Sequence, residues 1–272
     1  MNDTLGDRCK MYEGVEADRR FMPLIPIVAR IDGRSFSKFT KGMRRPYDET
    51  MSRMMIDTTK FLLEETGANI GYTQSDEISL AWHSTDIRSQ IWFDGRIMKM
   101  TSQLAAQATM IFNRLVDANY TDFYPRRPTF DARVWQVPNR TEAANMFVWR
   151  EWDATKNSIT MAASHYYSHA ELQGKNGAEK QEMLFKKGIN WNDYPDFFKR
   201  GTYLQRRMTK RAFTTEELDK LPEKHEARRN PNLQIERTEV AILELPVITS
   251  VANREEVFFE GANPLCTGLI EG

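Results

Sequence analysis

An α+β fold built on a ferredoxin-type βαββαβ unit is predicted by three features of this sequence. Segments with the two-residue period of strands fall at 24–32, 70–73, 78–82 and 130–137. Helical periods over 48–67 and 96–119 separate the first strand from the second and the third from the fourth, which is the order of the split βαβ motif. No internal repeat, low-complexity tract or Gly/Ser linker divides the 272 residues. Residues 1–140 are therefore read as a core with an N-terminal arm. Residues 141–272 are read as additional helices and a charged, strand-bearing C-terminal extension packed on that core as one compact unit.

A chain of this length buries a sizeable core, and 40% hydrophobic against 28% charged residues excludes disorder as its default. Lys+Arg and Asp+Glu are equal at 38 each, so any nucleic-acid footprint must be local and not a global basic field. Cys9 and Cys266 lie near opposite ends without metal-ligand spacing, which argues against a zinc site or disulfide framework and fits a reducing compartment. No stretch approaches the ~20 apolar residues of a membrane span. The charged N-terminus lacks the apolar core of a signal peptide, so a cytoplasmic protein is expected.

Residues 1–20 are polar, a short helix or an arm. In Leu24 to Asp32, the strand period puts Ile27, Ala29 and Ile31 on one face and Val28, Arg30 and Asp32 on the other; Gly33 ends the strand and permits close approach to a ligand. Arg34, Lys38, Lys41, Arg44 and Arg45 follow without an acid, either a triphosphate cradle or a solvated loop. From Asp48, Met51, Met54, Met55, Thr58 and Leu62 form a core stripe that Gly67 terminates. Gln74-Ser75-Asp76-Glu77 lies between two short strands as a hairpin, so pairing with the first strand would bring Asp32 and Asp76 together at the sheet edge. Such a spot suits a divalent metal, which takes hard oxygen ligands and, as a pair of ions, can hold the attacking and leaving oxygens of phosphoryl transfer. Asp76 and Glu77 point to opposite faces and therefore differ in role.

Along 96–119, Ile97, Thr101, Leu104, Ala105, Ala108, Phe112 and Leu115 are expected on the buried face. Arg96 and Lys99 are neighbours on the first turn, placed for phosphate or simply exposed. Asp131 and Arg133 share a face of the fourth strand. Asn139 with Glu142 signals the start of a third helix reaching His169; His165 and His169 have no third ligand nearby and read as satisfied side chains. A short helix over 179–187 precedes Lys199, Arg200, Arg206, Arg207, Lys210 and Arg211, a basic run that suits an RNA backbone or a solvated face. Residues 214–232 are an excursion or an exposed helix, and 235–247 return to strand.

With the acids so placed, the sequence resembles the tRNA(His) guanylyltransferase superfamily, the 3′-to-5′ nucleotide polymerases. The resemblance spans residues 25–205 in the family's order. It is carried by Arg30-Ile-Asp-Gly-Arg34 with Phe36 and Phe39, Arg45-Pro46 before Asp48, Tyr72-Thr-Gln-Ser-Asp-Glu77 and Phe130-Asp-Ala-Arg133. Trp149-Arg150 before Asp153, Glu182-Met-Leu-Phe185, and Ile189-Asn-Trp-Asn192 with Lys199-Arg-Gly201 continue it. It implies a polymerase palm-like catalytic core, two Mg²⁺ ions, ATP and GTP as substrates, tRNA as partner and a homotetramer. It further implies metal binding by Asp32, the Gly33 carbonyl and Asp76, with Asp32, Asp76 and Glu77 catalytic. Arg34, Ser35, Phe36, Arg45 and Ser75 would surround one nucleotide; Arg30, Arg96, Lys99 and Arg133 would surround another triphosphate or the RNA 5′ end; Asn157 is carried over to nucleotide binding. In the implied reaction ATP adenylylates an RNA 5′-monophosphate, and the incoming nucleotide's 3′-hydroxyl attacks that phosphate and expels AMP.

Two departures from the family pattern stand out. Arg45 occupies a position usually held by lysine, which keeps the charge but exchanges a point ammonium for a planar guanidinium. Enzymes dedicated to histidine tRNA tend to carry a His-Ile-Asn-Asn-type run after the aspartate matching Asp153, whereas this chain reads Ala154-Thr-Lys-Asn-Ser158. The sequence is thus closer to bacterial, archaeal and phage relatives that extend 5′-truncated tRNAs against the opposing strand. Two rivals share the fold expectation: a nucleotide cyclase-like enzyme, forming cyclic product without RNA, and a non-catalytic RNA-binding module, showing no metal-dependent turnover.

Overall fold

The computed structural model describes residues 4–120, 127–230 and 232–266; the first three residues of the predicted arm and the last six of the extension lie outside the described residues. The chain forms α1 (Leu5–Ala17), β1 (Ile27–Arg34), α2 (Phe36–Phe39), α3 (Glu49–Thr66), β2 (Ile70–Gln74), β3 (Glu77–Trp82), α4 (Ile97–Asn119) and β4 (Thr129–Gln136). It continues through α5 (Arg140–Tyr166), α6 (His169–Leu172), α7 (Gly177–Lys186), α8 (Asp196–Lys199), β5 (Thr202–Ala212), α9 (Thr215–Lys220), β6 (Gln234–Leu243) and α10 (Arg254–Glu260). The strands make one antiparallel sheet in the order β4-β1-β3-β2-β5-β6. Its first four positions reproduce the βαββαβ unit that the sequence predicts, and β5 and β6 extend it.

Local signals set the helix ends. Asp48 accepts the Met51 N–H at 3.0 Å to start α3, and Gly67, at φ +68°, closes it. Asn139 likewise accepts the Glu142 N–H at 2.8 Å to start α5. α3 and α4 cover one sheet face, packing Met54, Met55, Leu62, Leu104 and Phe112 on Ile27, Ala29, Ile31, Ile78 and Leu80. The buried face of α4 is Met100, Leu104, Ala108, Phe112 and Val116. Ile97, Thr101, Ala105 and Leu115, expected inside, are only half-buried, because α4 seats a single four-residue ridge and not a wide arc.

The second face is only partly covered. α5 lays Phe147 and Val148 over Tyr72 of β2, Tyr203 of β5 and Phe258 of α10. Toward the β4 edge no described residue gives comparable cover, and Asp131 and Arg133 are exposed. The basic run at 199–211 is largely neutralised within the fold. Lys199 and Arg200 pair with Asp196 at 3.2 and 2.7 Å, and Lys210 with Glu236 at 2.6 Å. Arg211 lies 2.8 Å from both Glu217 and Glu239, and its hydrogen bonds hold the Glu217 carboxyl far below the usual carboxylate range. This run is therefore mainly ion-paired hairpin and not a continuous open basic face. Among the described residues no helix is long and apolar enough to cross a membrane.

Where the chain enters β5, Tyr72 donates its hydroxyl to the Arg200 carbonyl at 2.7 Å, directly over Gly201 at φ +81°. A Cβ there would stand 2.5 Å from the Tyr72 hydroxyl and 2.7 Å from the Thr73 carbonyl. Gly201→Ala is expected to destabilise the protein by at least about 2 kcal/mol, the left-handed penalty plus overpacking. Urea unfolding followed by circular dichroism should show a lowered midpoint; an unchanged one would refute the close approach.

Candidate active site

Strand register assembles the site. β1 and β3 pair so that Asp32 lies opposite Glu77 and Ile27 opposite Trp82. Gln74 pairs with Glu77, so the β2–β3 hairpin turns through Ser75 and Asp76 alone. The Gly33 N–H donates to the Asp76 carbonyl at 3.0 Å, fastening the end of β1 to that turn and setting Asp32 beside Asp76. Gly33 must be glycine here, since a Cβ would fall 2.2 Å from the Phe36 ring. Ser35 and Ser75, next to this junction, hold left-handed backbone at φ 57° and 50°. That conformation costs a residue with a side chain about 1–2 kcal/mol, strain that tertiary contacts at the site must offset.

Burial pushes the Asp76 carboxyl above its ordinary range and the Asp32 carboxylate adds to the rise, against the lowering by its own backbone N–H and by Ser75, whose Oγ donates to it at 3.1 Å. A cation beside the pair would favour the charged carboxylate against both the burial and the Asp32 repulsion. Among the described residues no three His, Cys, Asp or Glu side chains converge as metal ligands. A metal would therefore rest on two carboxylates and the nearby Gly33 carbonyl, with water or phosphate completing its shell. That set of hard oxygens fits Mg²⁺, which keeps several waters and binds few protein groups.

Glu77 has a different setting. It is buried and gripped by Arg150 of α5: Nη2 donates to Oε2 at 2.8 Å, while Nε stands 2.5 Å from Oε1, close enough for charge attraction but out of hydrogen-bond alignment. Burial raises the Glu77 carboxyl; Arg150 and then Arg30 draw it back, and Asp32 adds to the rise. Arg150 Nη1 also donates to Asp153 at 2.7 Å. Glu77 is thus a fixed, paired side chain behind the Asp32–Asp76 junction and not one of an open pair with Asp76.

A cavity of about 300 Å³ opens beside Asp76, bounded by Phe36, Arg44, Arg45, Asp48 and Ser75. Its size is at the lower end of small-molecule sites. Ala154, Ser158 and Met161 of α5, at i, i+4 and i+7, form one wall with Phe197 and Phe198. Asn157 is exposed on the neighbouring position of α5, and Arg34 and Ser35 are exposed at the end of β1. Arg30 and Arg133 are register partners, two residues behind the partners Asp32 and Asp131.

Arg96 and Lys99 are not brought to this group. β3 leaves the sheet at Trp82, opposite Ile27, and Arg96 bridges Arg20 ahead of β1 while the Lys99 ammonium lies over Phe93. Five strand residues, roughly 17 Å, separate that end from Asp32. Two features escaped sequence reasoning: the role of Arg150 and the cavity wall on α5. The four-residue spacing of Arg150, Ala154 and Ser158 was the available signal.

Comparison with known proteins gives two family matches, tRNAHis guanylyltransferase over residues 6–138 and Thg1 C terminal domain over residues 145–249. The tRNA(His) guanylyltransferase of Schizosaccharomyces pombe is 30% identical over 208 residues, covering 71% of this chain and 77% of that protein. A bacterial tRNA(His) guanylyltransferase (Thg1)-like protein in complex with ATP superposes with a TM-score of 0.76 at 32% identity, covering 93% of this chain and 97% of its own. Such a protein in complex with GTP superposes at 0.68 with 31% identity, covering 91% and 94%.

Because the Asp76 carboxyl titrates above its unfolded value, the folded metal-free protein holds that proton more tightly than the unfolded chain. The associated stability is lost as pH rises through the raised value. At pH 7, Asp76→Asn should therefore raise the metal-free melting temperature, at about 2–4 °C per kcal/mol for a chain of this size. Mg²⁺ should raise the melting temperature of the native protein and leave that of the variant nearly fixed. Scanning calorimetry in chelator and in Mg²⁺ checks both; a variant that melts lower in chelator would contradict the argument.

Proposed function

The chain belongs to the tRNA(His) guanylyltransferase family, and from that membership we propose that it is a Mg²⁺-dependent nucleotidyltransferase extending tRNA at the 5′ end in the 3′-to-5′ direction. The observation that carries this reading is the junction of Asp32 and Asp76 through the Gly33 N–H, beside a cavity bounded by Arg45 and Ser75. ATP and GTP are the proposed substrates, in keeping with the nucleotides named for the bacterial relatives.

Asp32, Asp76 and the Gly33 carbonyl would hold the metal, which when bound polarises the attacking hydroxyl and stabilises charge on the transferring phosphate. Arg45 and Ser75, with Arg34, Ser35 and Phe36, place one nucleotide's phosphates next to those acids. Arg30 and Arg133 offer a second phosphate position on the open sheet face. Arg150 keeps Glu77 oriented and offsets its charge, so that residue supports the Asp32–Asp76 junction by its fixed position. Asn157 lies beside the cavity wall and is assigned to nucleotide contact. Arg96 and Lys99, at the other end of the sheet, would reach a bound RNA away from the acids of their own chain or meet another subunit. A cytoplasmic homotetramer is part of the proposal, supported by the exposed Leu5, Met11, Tyr12 and Val15 of α1 and Met98 and Met110 of α4.

The physiological role proposed is repair of 5′-truncated tRNA, with the opposing strand selecting the nucleotide. Ala154 and Ser158, where dedicated enzymes carry their own run, face the nucleotide cavity, so base pairing is left to supply selection.

Incubation of 5′-truncated tRNA with ATP, GTP and Mg²⁺ should yield extended product. Asp32→Ala and Asp76→Ala should each lower that rate by on the order of 10³-fold or more while the protein stays folded. Activity retained in either variant would remove the metal role. Changing the opposing base should change the nucleotide added, read by sequencing the 5′ ends; guanosine added regardless of that base, and only to histidine tRNA, would refute template selection.

A further inference from the structure

The uncovered part of the α5 sheet face has an unusual rim. Trp149 and Trp152, three residues apart and therefore neighbours on α5, are 41% and 60% exposed, and neither belongs to any of the three buried clusters. Tryptophan contributes most when buried, so core packing does not account for two rings this exposed on one helix turn. Trp149 is also held in a defined place: the Arg150 guanidinium carbon lies 4.5 Å and that of Arg30 5.8 Å from its ring centroid. Beneath it, Arg30 and Arg133 stand side by side in register, and Arg30 Nε is buried with no acceptor among the described residues. A phosphate oxygen is the natural partner for such a donor.

We propose that Trp149 and Trp152 form a stacking wall for the 5′-terminal nucleobase of the RNA, whose phosphates lie on Arg30 and Arg133. The proposal rests on the nucleotidyltransferase reading and names the residues that orient its polymeric substrate. The nucleotide cavity beside Asp76 is walled by α5, Phe197 and Phe198. The sheet face, in contrast, ends at the edge strand β4, where Arg133 is 54% exposed, and so admits a strand end that continues beyond the protein. Asp131, 3.5 Å from Arg133, opposes phosphate there. Register puts it in the row of Asp32, two residues and about 7 Å ahead of the arginines. The face thus has a cationic rear for backbone phosphate and an acidic front for the reacting end.

Stacking of one base on one aromatic ring is removed by truncation at roughly tenfold in affinity. Equilibrium binding of a 5′-monophosphorylated, truncated tRNA to the full chain should weaken about tenfold in Trp152→Ala and in Trp149→Leu and return to within about threefold in Trp152→Phe and Trp149→Phe. The loss should vanish on the same RNA made abasic at its 5′-terminal nucleotide, and affinity for ATP without RNA should not move. An equal loss on both RNAs, no loss, or a loss confined to ATP would overturn the stacking wall. Trp152→Ala carries the test if Trp149→Leu fails to fold. Since binding is read without turnover, a protein that binds RNA in this base-dependent way but never extends it refutes the proposed activity and not the wall.

Discussion

The register of β1 against its two neighbours is the constraint on which the site depends. It sets Asp32 between Glu77 and Asp131, three carboxylates in one row, with Arg30 between Ser79 and Arg133 in the row behind. Like charges directly opposite one another destabilise a sheet, and a slip of one residue would turn Asp32 into the apolar core. Ile27, Ala29 and Ile31, buried under α3 and α4, oppose that slip. Core packing on one face thus fixes an unfavourable charge row on the other. The row is tolerable because Arg150 neutralises Glu77 from above. Such a buried pair adds little net stability when intact, but losing one partner costs about 3–5 kcal/mol, so its value lies in holding Glu77 where the strands place it.

α5 carries an unusual share of the architecture. At 27 residues it runs roughly 40 Å. In sequence order it supplies Phe147 to the core, Trp149 to the open face, Arg150 to Glu77, and Ala154, Ser158 and Met161 to the cavity wall. Glu151, on the same turn, is buried and accepts from Tyr203 at 3.0 Å and from the Ile248 N–H at 2.9 Å, which ties the helix to β5 and to the C-terminal segment. A rigid helix anchored at several points can hold these groups in fixed relation, whereas a loop carrying the same residues would not. Changes at 154 and 158 therefore alter the shape of the cavity beside Asp76 with little disturbance to the acids.

What the sequence disclosed follows from the range of the forces involved. Strand periods, the helical stripe from Asp48, the Asn139 cap, the Gly67 stop and the hairpin at 74–77 depend on residues a few positions apart, and the structure has each of them. The meeting of Asp32 with Asp76 was also legible, because the βαββαβ order places β1 beside β3. The phase of α4 was not, since it turns on which ridge meets the sheet. Arg150 and Glu77 are 73 residues apart, and nothing local marks them as partners. The basic run looked like an open face because its acids, Glu217, Glu236 and Glu239, come from the returning segment. Arg96 and Lys99 were grouped with Arg30 by resemblance, whereas the chain path sets them at the opposite end of the sheet.

That neutralisation changes how an RNA partner must be recognised. The chain carries 38 basic and 38 acidic residues, and the hairpin holds several of its cations in internal pairs. The cations that remain near the site sit at the end of β1, in the loop before α3, and on the open sheet face. Each phosphate neutralised contributes about 0.7–0.9 to the log–log slope of binding against salt, so even a handful of contacts gives an affinity that falls steeply as salt rises. At physiological salt that attraction is screened within about 8–10 Å, so it draws an RNA in without fixing which end meets the acids. In the proposed reaction, placement would come from short-range contacts: a planar surface for the terminal base, a donor for its phosphate, and pairing with the opposing strand. For the proposed template-directed extension, an end that leaves the next base of the opposite strand unpaired would supply the selection that these protein contacts do not.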